Sequence, residues 1–205
     1  MVLARLIVVS ALFLISVAPV WADPPTFPLR PVDVQERAAG VTDKKYAGAD
    51  RVVLYRGLDV TVDKDGVSDR REQVAVKLMT LKGAAAQQTL RFDYDPTTSN
   101  VEISAIHVIR RDGAVEKVSA DSAIDLPAPK HWIYWPFRMK LVSLPPLLPG
   151  DSVVWSTRFT GFQIAYLEPN AERFVPPQRG EFYDIVTFGG EDPVLEQIYR
   201  VSLPA

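Results

Sequence analysis

Histidine chemistry rests on His107 and His131, because these are the two imidazoles in the chain, and thiol chemistry is ruled out by the absence of cysteine. A histidine acting as general base or metal ligand needs partners within hydrogen-bonding or coordinating reach. His107 stands in the run Val101–Arg110, on alternate positions with Val101, Ile103, Ala105 and Ile109, a pattern that predicts a buried, hydrogen-bonded histidine rather than a ligand. Ser143, Ser152 and Ser156 could in principle supply the hydroxyl of a Ser-His-Asp set, but no G-x-S-x-G elbow surrounds any of them. Without cysteine there is no thiol nucleophile and no thiolate metal site. The expectation is a protein that is not an enzyme, with no catalytic residue, cofactor or metal site to assign.

Spaced carboxylates suggest calcium at Asp63-Lys64-Asp65-Gly66. With Asp63 as the first position of a calcium loop, position 6 would be Ser68 instead of Gly and position 12 Val74 instead of Glu, so a hairpin turn is predicted instead. Asp93, Asp95 and Asp125 lie near predicted strand ends and read as turn formers. The pairs Lys44-Lys45 and Arg70-Arg71 are too short for an anion site and read as solvated. One stretch invites a binding interpretation: Trp132-Ile133-Tyr134-Trp135-Pro136-Phe137, next to His131. Rigid aromatics with polar edges recur at recognition sites, which makes Trp132, Tyr134, Trp135 and Phe137 the candidate partner-binding residues, for protein, peptide or glycan. The competing reading is a loop that caps one end of a sandwich and buries its rings.

A formal net charge of −2 over 205 residues argues against nucleic acid as a partner, because phosphate binding needs a basic face. The first 22 residues carry Arg5, an uncharged apolar run from Leu6 to Val17, and the small-residue end Val20-Trp21-Ala22. This is the layout of a secretory signal peptide cleaved after Ala22, which predicts an exported protein, periplasmic or secreted. An uncleaved anchor is the competing reading, since the stretch approaches the roughly 20 residues of a spanning helix. No later segment is apolar enough to span.

Residues 23–45 are proline-rich and predict an extended N-terminal arm with one helical turn near Val34–Ala39. Val52, Leu54, Leu58, Val60 and Val62 alternate with Tyr55, Asp59 and Thr61; beyond the turn, Val74, Val76 and Leu78 alternate with Gln73, Ala75 and Lys77, completing a long hairpin. Further strands are predicted at 88–94, 101–110, 137–144, 152–160, 181–188 and 194–203. Ser119–Ile124 reads as a short helix, Leu126-Pro127-Ala128-Pro129 as a break, and Gln163–Arg179 as a loop. Phe137–Phe159 reads as two strands around the corner Pro149-Gly150-Asp151, with Trp155 and Phe159 on one face. About eight strands with little helical periodicity predict an all-β protein, an antiparallel β-sandwich with a Pro-rich N-terminal arm. The last strand stops two residues before the sequence does and reads as interrupted, an open edge that invites pairing.

Three stretches, VVLYRGLDVTVDKDGVSDRREQVAVKLMTLKG, RFDYDPTTSNVEISAIHVIRRDGAVEKV and LVSLPPLLPGDSVVWSTRF, resemble domain of unknown function 3857 (DUF3857), an exported bacterial module. The resemblance runs from about Tyr46 to Phe159 and continues more weakly from Glu181 onward. It implies a β-sandwich over residues 46–205 with an accessory role, because in that family the module usually precedes a transglutaminase-like domain with a Cys-His-Asp catalytic set. No catalytic residue carries over, since the chain has no cysteine, and Lys130–Phe137 departs from the pattern by its aromatic content. The reading this supports is a non-catalytic scaffold or interaction module; a stand-alone peptide- or glycan-binding protein using residues 132–137 is the alternative.

Overall fold

The computed structural model describes residues 28–129, 136–162, 182 and 184–204. In chain order it contains α1 (Pro31–Ala39), β1 (Arg51–Val62), β2 (Ser68–Leu78), α2 (Leu81–Ala86), β3 (Thr89–Tyr94), β4 (Ser99–Ile109), β5 (Val115–Val118), β6 (Ile124–Pro127), β7 (Arg138–Ser143), β8 (Ser152–Gly161) and β9 (Gln197–Ser202). The fold nucleus is the β1–β2 hairpin, which pairs from Arg51 opposite Leu78 to Val62 opposite Ser68. Its turn forms as the residues dictate. The Asp63 carboxylate accepts the backbone N–H groups of Asp65 at 2.8 Å and Val67 at 2.9 Å, and Gly66 takes φ 85°, a conformation costly for a residue with a Cβ.

The strands form a six-stranded sheet in the order β5-β4-β8-β2-β1-β9 and a three-stranded sheet in the order β3-β7-β6. All pairings are antiparallel except β1 with β9, which is parallel and places β9 at the sheet edge. Val53, Val74, Val76, Leu78, Ile106, Val108 and Val153 of the large sheet pack against Leu90, Phe92, Tyr94 and Val142 of the small one, forming the dry core of a β-sandwich. The Pro149-Gly150-Asp151 corner carries the chain from β7 in the small sheet to β8 in the large one. Gly150 takes φ 94°, and the buried Asp151 carboxylate accepts from the Arg110 guanidinium at 2.9 Å and from the N–H groups of Arg111 and Leu148 at 3.1 Å each.

The opposite face of the large sheet has a second core. Leu54, Tyr55, Ala75, Ile109 and Val154 meet Leu29, Val34 and Val41 from the N-terminal arm. The arm is therefore docked instead of extended over this stretch, and the helical turn expected near Val34–Ala39 is the nine-residue α1. Three polar clasps hold it down. Gln73 exchanges two hydrogen bonds with the Leu29 backbone, at 2.6 and 3.1 Å, as a neighbouring strand would. The Lys77 ammonium donates to the Ala38 and Val41 carbonyls at 2.9 and 2.7 Å, satisfying the end of α1. Gln35 donates to the Gly113 carbonyl at 2.7 Å.

Several details differ from the sequence expectation. A register shift between Val53 and Tyr55 makes Val52 to Tyr55 a continuously buried run, so Leu54 faces the arm while Leu58 and Val60 share the opposite face with Arg56. A second shift between Ile103 and Ala105 parts His107 from Val101 and Ile103, which face the main core. Leu126-Pro127 lies inside β6, an edge strand where proline's missing N–H costs no ladder bond, and Ala120–Ser122 is one 3-10 turn capped by Ser119. Residues 184–188, expected to be strand, form none; α2 and β5 are additions, α2 capped by the Thr80 hydroxyl, which accepts from Gly83 N–H at 3.1 Å.

Candidate functional site

Strand register sets up the charged part of the molecule. Across β9, β1, β2 and β8, the inner face carries one row of Gln197, Arg56, Val74 and Trp155, the next of Tyr199, Leu58, Glu72 and Thr157, and a third of Val201, Val60, Arg70 and Phe159. Trp155 and Phe159 share a face, as their spacing on β8 predicts. Here the apolar sheet interior gives way to arginines and carboxylates.

Within the third and second rows, the Arg70 guanidinium pairs with the Asp184 carboxylate at 2.9 Å, and the Asp184 side chain is only 6% exposed. The Tyr199 hydroxyl donates to the same Asp184 oxygen at 3.0 Å, and its ionisation is pushed up to about 12, by burial first and then by that hydrogen bond. Arg70 is thus an internal ion-pair partner and not the solvated residue expected of it; Arg71 beside it remains exposed.

Beside this network, a cleft of about 400 Å³ opens between the sheets, lined by Arg56, Glu72, Trp155 and Phe159 from the large sheet and by Phe92 and Arg91 from β3. Arg51, at its rim, pairs with Asp192 at 2.8 Å and donates to Gln87 at 3.2 Å; Arg91 pairs with Asp93 at 2.8 Å. Arg56 differs, because its buried Nε has no hydrogen-bond partner among the described residues. Thr157, 2% exposed and directly opposite Glu72, likewise has a hydroxyl without a partner among them. Burial pushes the Glu72 carboxyl up from the ordinary glutamate value, and the opposing fields of Arg56 and Arg70 do not cancel that effect.

The sequence candidates fall elsewhere. Trp132, Tyr134, Trp135 and His131 lie outside the described residues. Phe137 is half-buried just before β7, and its carbonyl accepts the Ala128 N–H at 2.9 Å, closing the β6–β7 end of the small sheet. His107 and Ser156 line a shared niche of about 130 Å³ roofed by Leu29 and Pro31, with Gln73 at its side and no carboxylate in its lining. His107 is half-buried, and its imidazolium is disfavoured by burial and then by Lys117. Among the carboxylates expected at turns, Asp95 fills that role, accepting from Thr97 N–H at 2.9 Å, whereas Asp93 pairs with Arg91 and Asp125 accepts from Tyr94 and Arg138. No helix among the described residues is long and apolar enough to cross a membrane, and no cluster of three or more metal-ligating side chains occurs among them.

Two facing sheets with a docked arm and a charged cleft define a β-sandwich module. The family model of a domain of unknown function with solved structure, DUF3857, matches residues 64–205, and the chain belongs to that family. No curated protein matches it. Among solved structures, a candidate protease from Parabacteroides distasonis superposes with TM-score 0.50 at 16% identity, covering 57% of this chain and 24% of that one. The chain thus spans about a quarter of that protein's length, and the likeness is one of fold. A CBM3a-L domain from the cipA scaffoldin of the Clostridium thermocellum cellulosome gives TM-score 0.35 at 13% identity, covering 62% of this chain and 81% of that one. An M1 zinc metallopeptidase from Deinococcus radiodurans gives 0.32 at 18%, covering 64% and 24%.

Proposed function

We propose that this protein is an exported, non-catalytic β-sandwich that serves as a scaffold or interaction module, resembling the part that precedes a transglutaminase-like enzyme domain. One observation carries this reading: ion pairs of Asp151, Asp184, Glu196, Asp192 and Asp59 hold the sandwich together. Asp151 fixes the corner through three donors, Asp184 ties β2 to β9, and Arg37–Glu196 at 2.5 Å, Arg51–Asp192 at 2.8 Å and Arg200–Asp59 at 3.3 Å bind the C-terminal segment to the rest. Strands tied at this many points present a rigid surface, which suits a scaffold. Family membership supports the reading, and the layout of residues 1–22 supports export.

A fusion of the chain to a reporter phosphatase that is active only outside the cytoplasm tests the location. Activity is expected, with a new N-terminus at Asp23, and an inactive fusion overturns export. Assays of the purified chain on peptide, ester and glycoside substrates test the rest. No turnover is expected; turnover abolished by a single substitution in this chain overturns the non-catalytic reading.

A further inference from the structure

We propose that the cleft between β1, β2, β8 and β3 recognises a small zwitterion, an amino acid or short peptide, with its carboxylate on Arg56, its ammonium on Glu72 and its side chain against Trp155 and Phe159.

The fold leaves polar groups unsatisfied beside this cleft. Buried polar atoms in native proteins find hydrogen-bond partners, and the exceptions call for a reason. Here Arg56 Nε and Thr157 Oγ1 are such exceptions, and they flank Glu72, whose carboxylate makes no hydrogen bond or ion pair among the described residues. The neighbourhood does not lack the means to satisfy an arginine, since Arg51 and Arg91 of the same cleft each have a carboxylate at 2.8 Å. Arg56 and Glu72 are diagonal neighbours across β1 and β2, with Arg56 opposite Val74 and Glu72 two residues from it. Such positions lie about 7–8 Å apart at the backbone, near enough for two long side chains to grip the two ends of one small molecule.

The mixture of charges selects the ligand class. A phosphate or sulfate would be drawn to Arg56 and repelled by Glu72, and a neutral sugar would leave both charges unmatched. A molecule carrying one carboxylate and one ammonium satisfies both, through the planar fork of a guanidinium and the acceptor oxygens of a glutamate. Trp155 and Phe159, one on each side of Thr157 along β8, offer rigid apolar walls. The volume of about 400 Å³ falls in the range of small-molecule sites, roughly 300–1,000 Å³.

Calorimetric titration of the purified chain at pH 7 tests this with L-phenylalanine and L-alanyl-L-phenylalanine, each in its free, C-terminally amidated and N-acetylated forms. At least one free form is expected to bind saturably, with each blocked form about tenfold weaker or more, the loss that goes with removing one charge-assisted contact. Arg56→Met is expected to erase the difference between free and amidated ligand, and Glu72→Gln the difference between free and acetylated ligand. Both variants are checked by circular dichroism; Glu72→Gln removes a charge without changing shape, so its loss of discrimination cannot be assigned to unfolding. No saturable binding by either free form at millimolar concentration, equal binding of all forms, or variants that discriminate as the parent does would each overturn the proposal.

Discussion

The inner face of β2 contains two regions in one register that behave oppositely. Toward Leu78, the residues Val74, Val76 and Leu78 lie in the dry core under the small sheet; toward Arg70, the same alternation delivers Glu72 and Arg70 into the charged network. The backbone pairing is equally regular in both, so strand geometry does not separate them. What differs is the cover. Leu90, Phe92 and Val142 close over the first region, and beside the second the sheets part to leave the cleft. One region is complementary to the chain's own apolar side chains and gains stability from them. The other keeps polar groups unmatched, a cost to stability that proteins retain where a site is needed.

The largest energetic effect is expected in the apolar region. Leu78→Ala removes a fully buried side chain and is expected to cost about 2–5 kcal/mol in equilibrium urea unfolding. A loss below about 1 kcal/mol would mean that the core under the small sheet is not the close-packed region described. At the charged end the sign should reverse. Because burial raises the Glu72 carboxyl above its ordinary 4.5, the native state is at its best below that pH and loses stability as pH rises and the carboxyl must ionise in a half-buried position. Glu72→Gln should therefore raise Tm at pH 7 by about 2–4 °C, the shift that about 1 kcal/mol produces in a chain of this size, and the gain should vanish near pH 4. A lower Tm for the variant at pH 7 would place Glu72 among the stabilising residues. The smallest effect belongs to Tyr199→Phe, about 0.5 kcal/mol at neutral pH from a lost hydrogen bond. The Tyr199 phenol ionises near 12 in the fold and near 10 unfolded, so its contribution is present below pH 10 and lost as pH climbs toward 12; the gap between parent and variant should close just above pH 10 and then reverse in alkaline melts.

How much of this is legible in the sequence depends on how local each signal is. The β1–β2 hairpin can be read because period-2 alternation and Asp63-Lys64-Asp65-Gly66 are contiguous. The corner at Gly150 can be read for the same reason. Residues 184–188 mislead: Ile185, Val186 and Phe188 have strand composition, and composition does not supply a pairing partner. Leu81–Ala86 misleads in the other direction, since a six-residue helix with Gly83 inside it has no apolar periodicity to detect and owes its start to the Thr80 hydroxyl. The two register shifts invert faces midway along β1 and β4, and an alternation count cannot foresee an inserted residue. Arg56 and Glu72 become neighbours only through the β1–β2 register, and Asp184 reaches Arg70 across 114 residues of sequence, so neither the cleft nor the ionic network has a motif. The aromatic run 132–137 attracts attention because it is contiguous; the cleft's own aromatics, Trp155 and Phe159, are ordinary strand residues until the pairing places them beside an arginine.

The parallel pairing of β9 with β1 also dictates the order in which the chain can assemble. Antiparallel neighbours joined by short turns close small loops and form early, whereas contacts such as Arg51 with Asp192, separated by 141 residues, require a long loop to close before they return any energy. Of these nine strands, β9 is also the last in chain order. Wherever β9 is not yet paired, β1 is itself the sheet edge, with Arg56 on it, and is open to pairing with another chain.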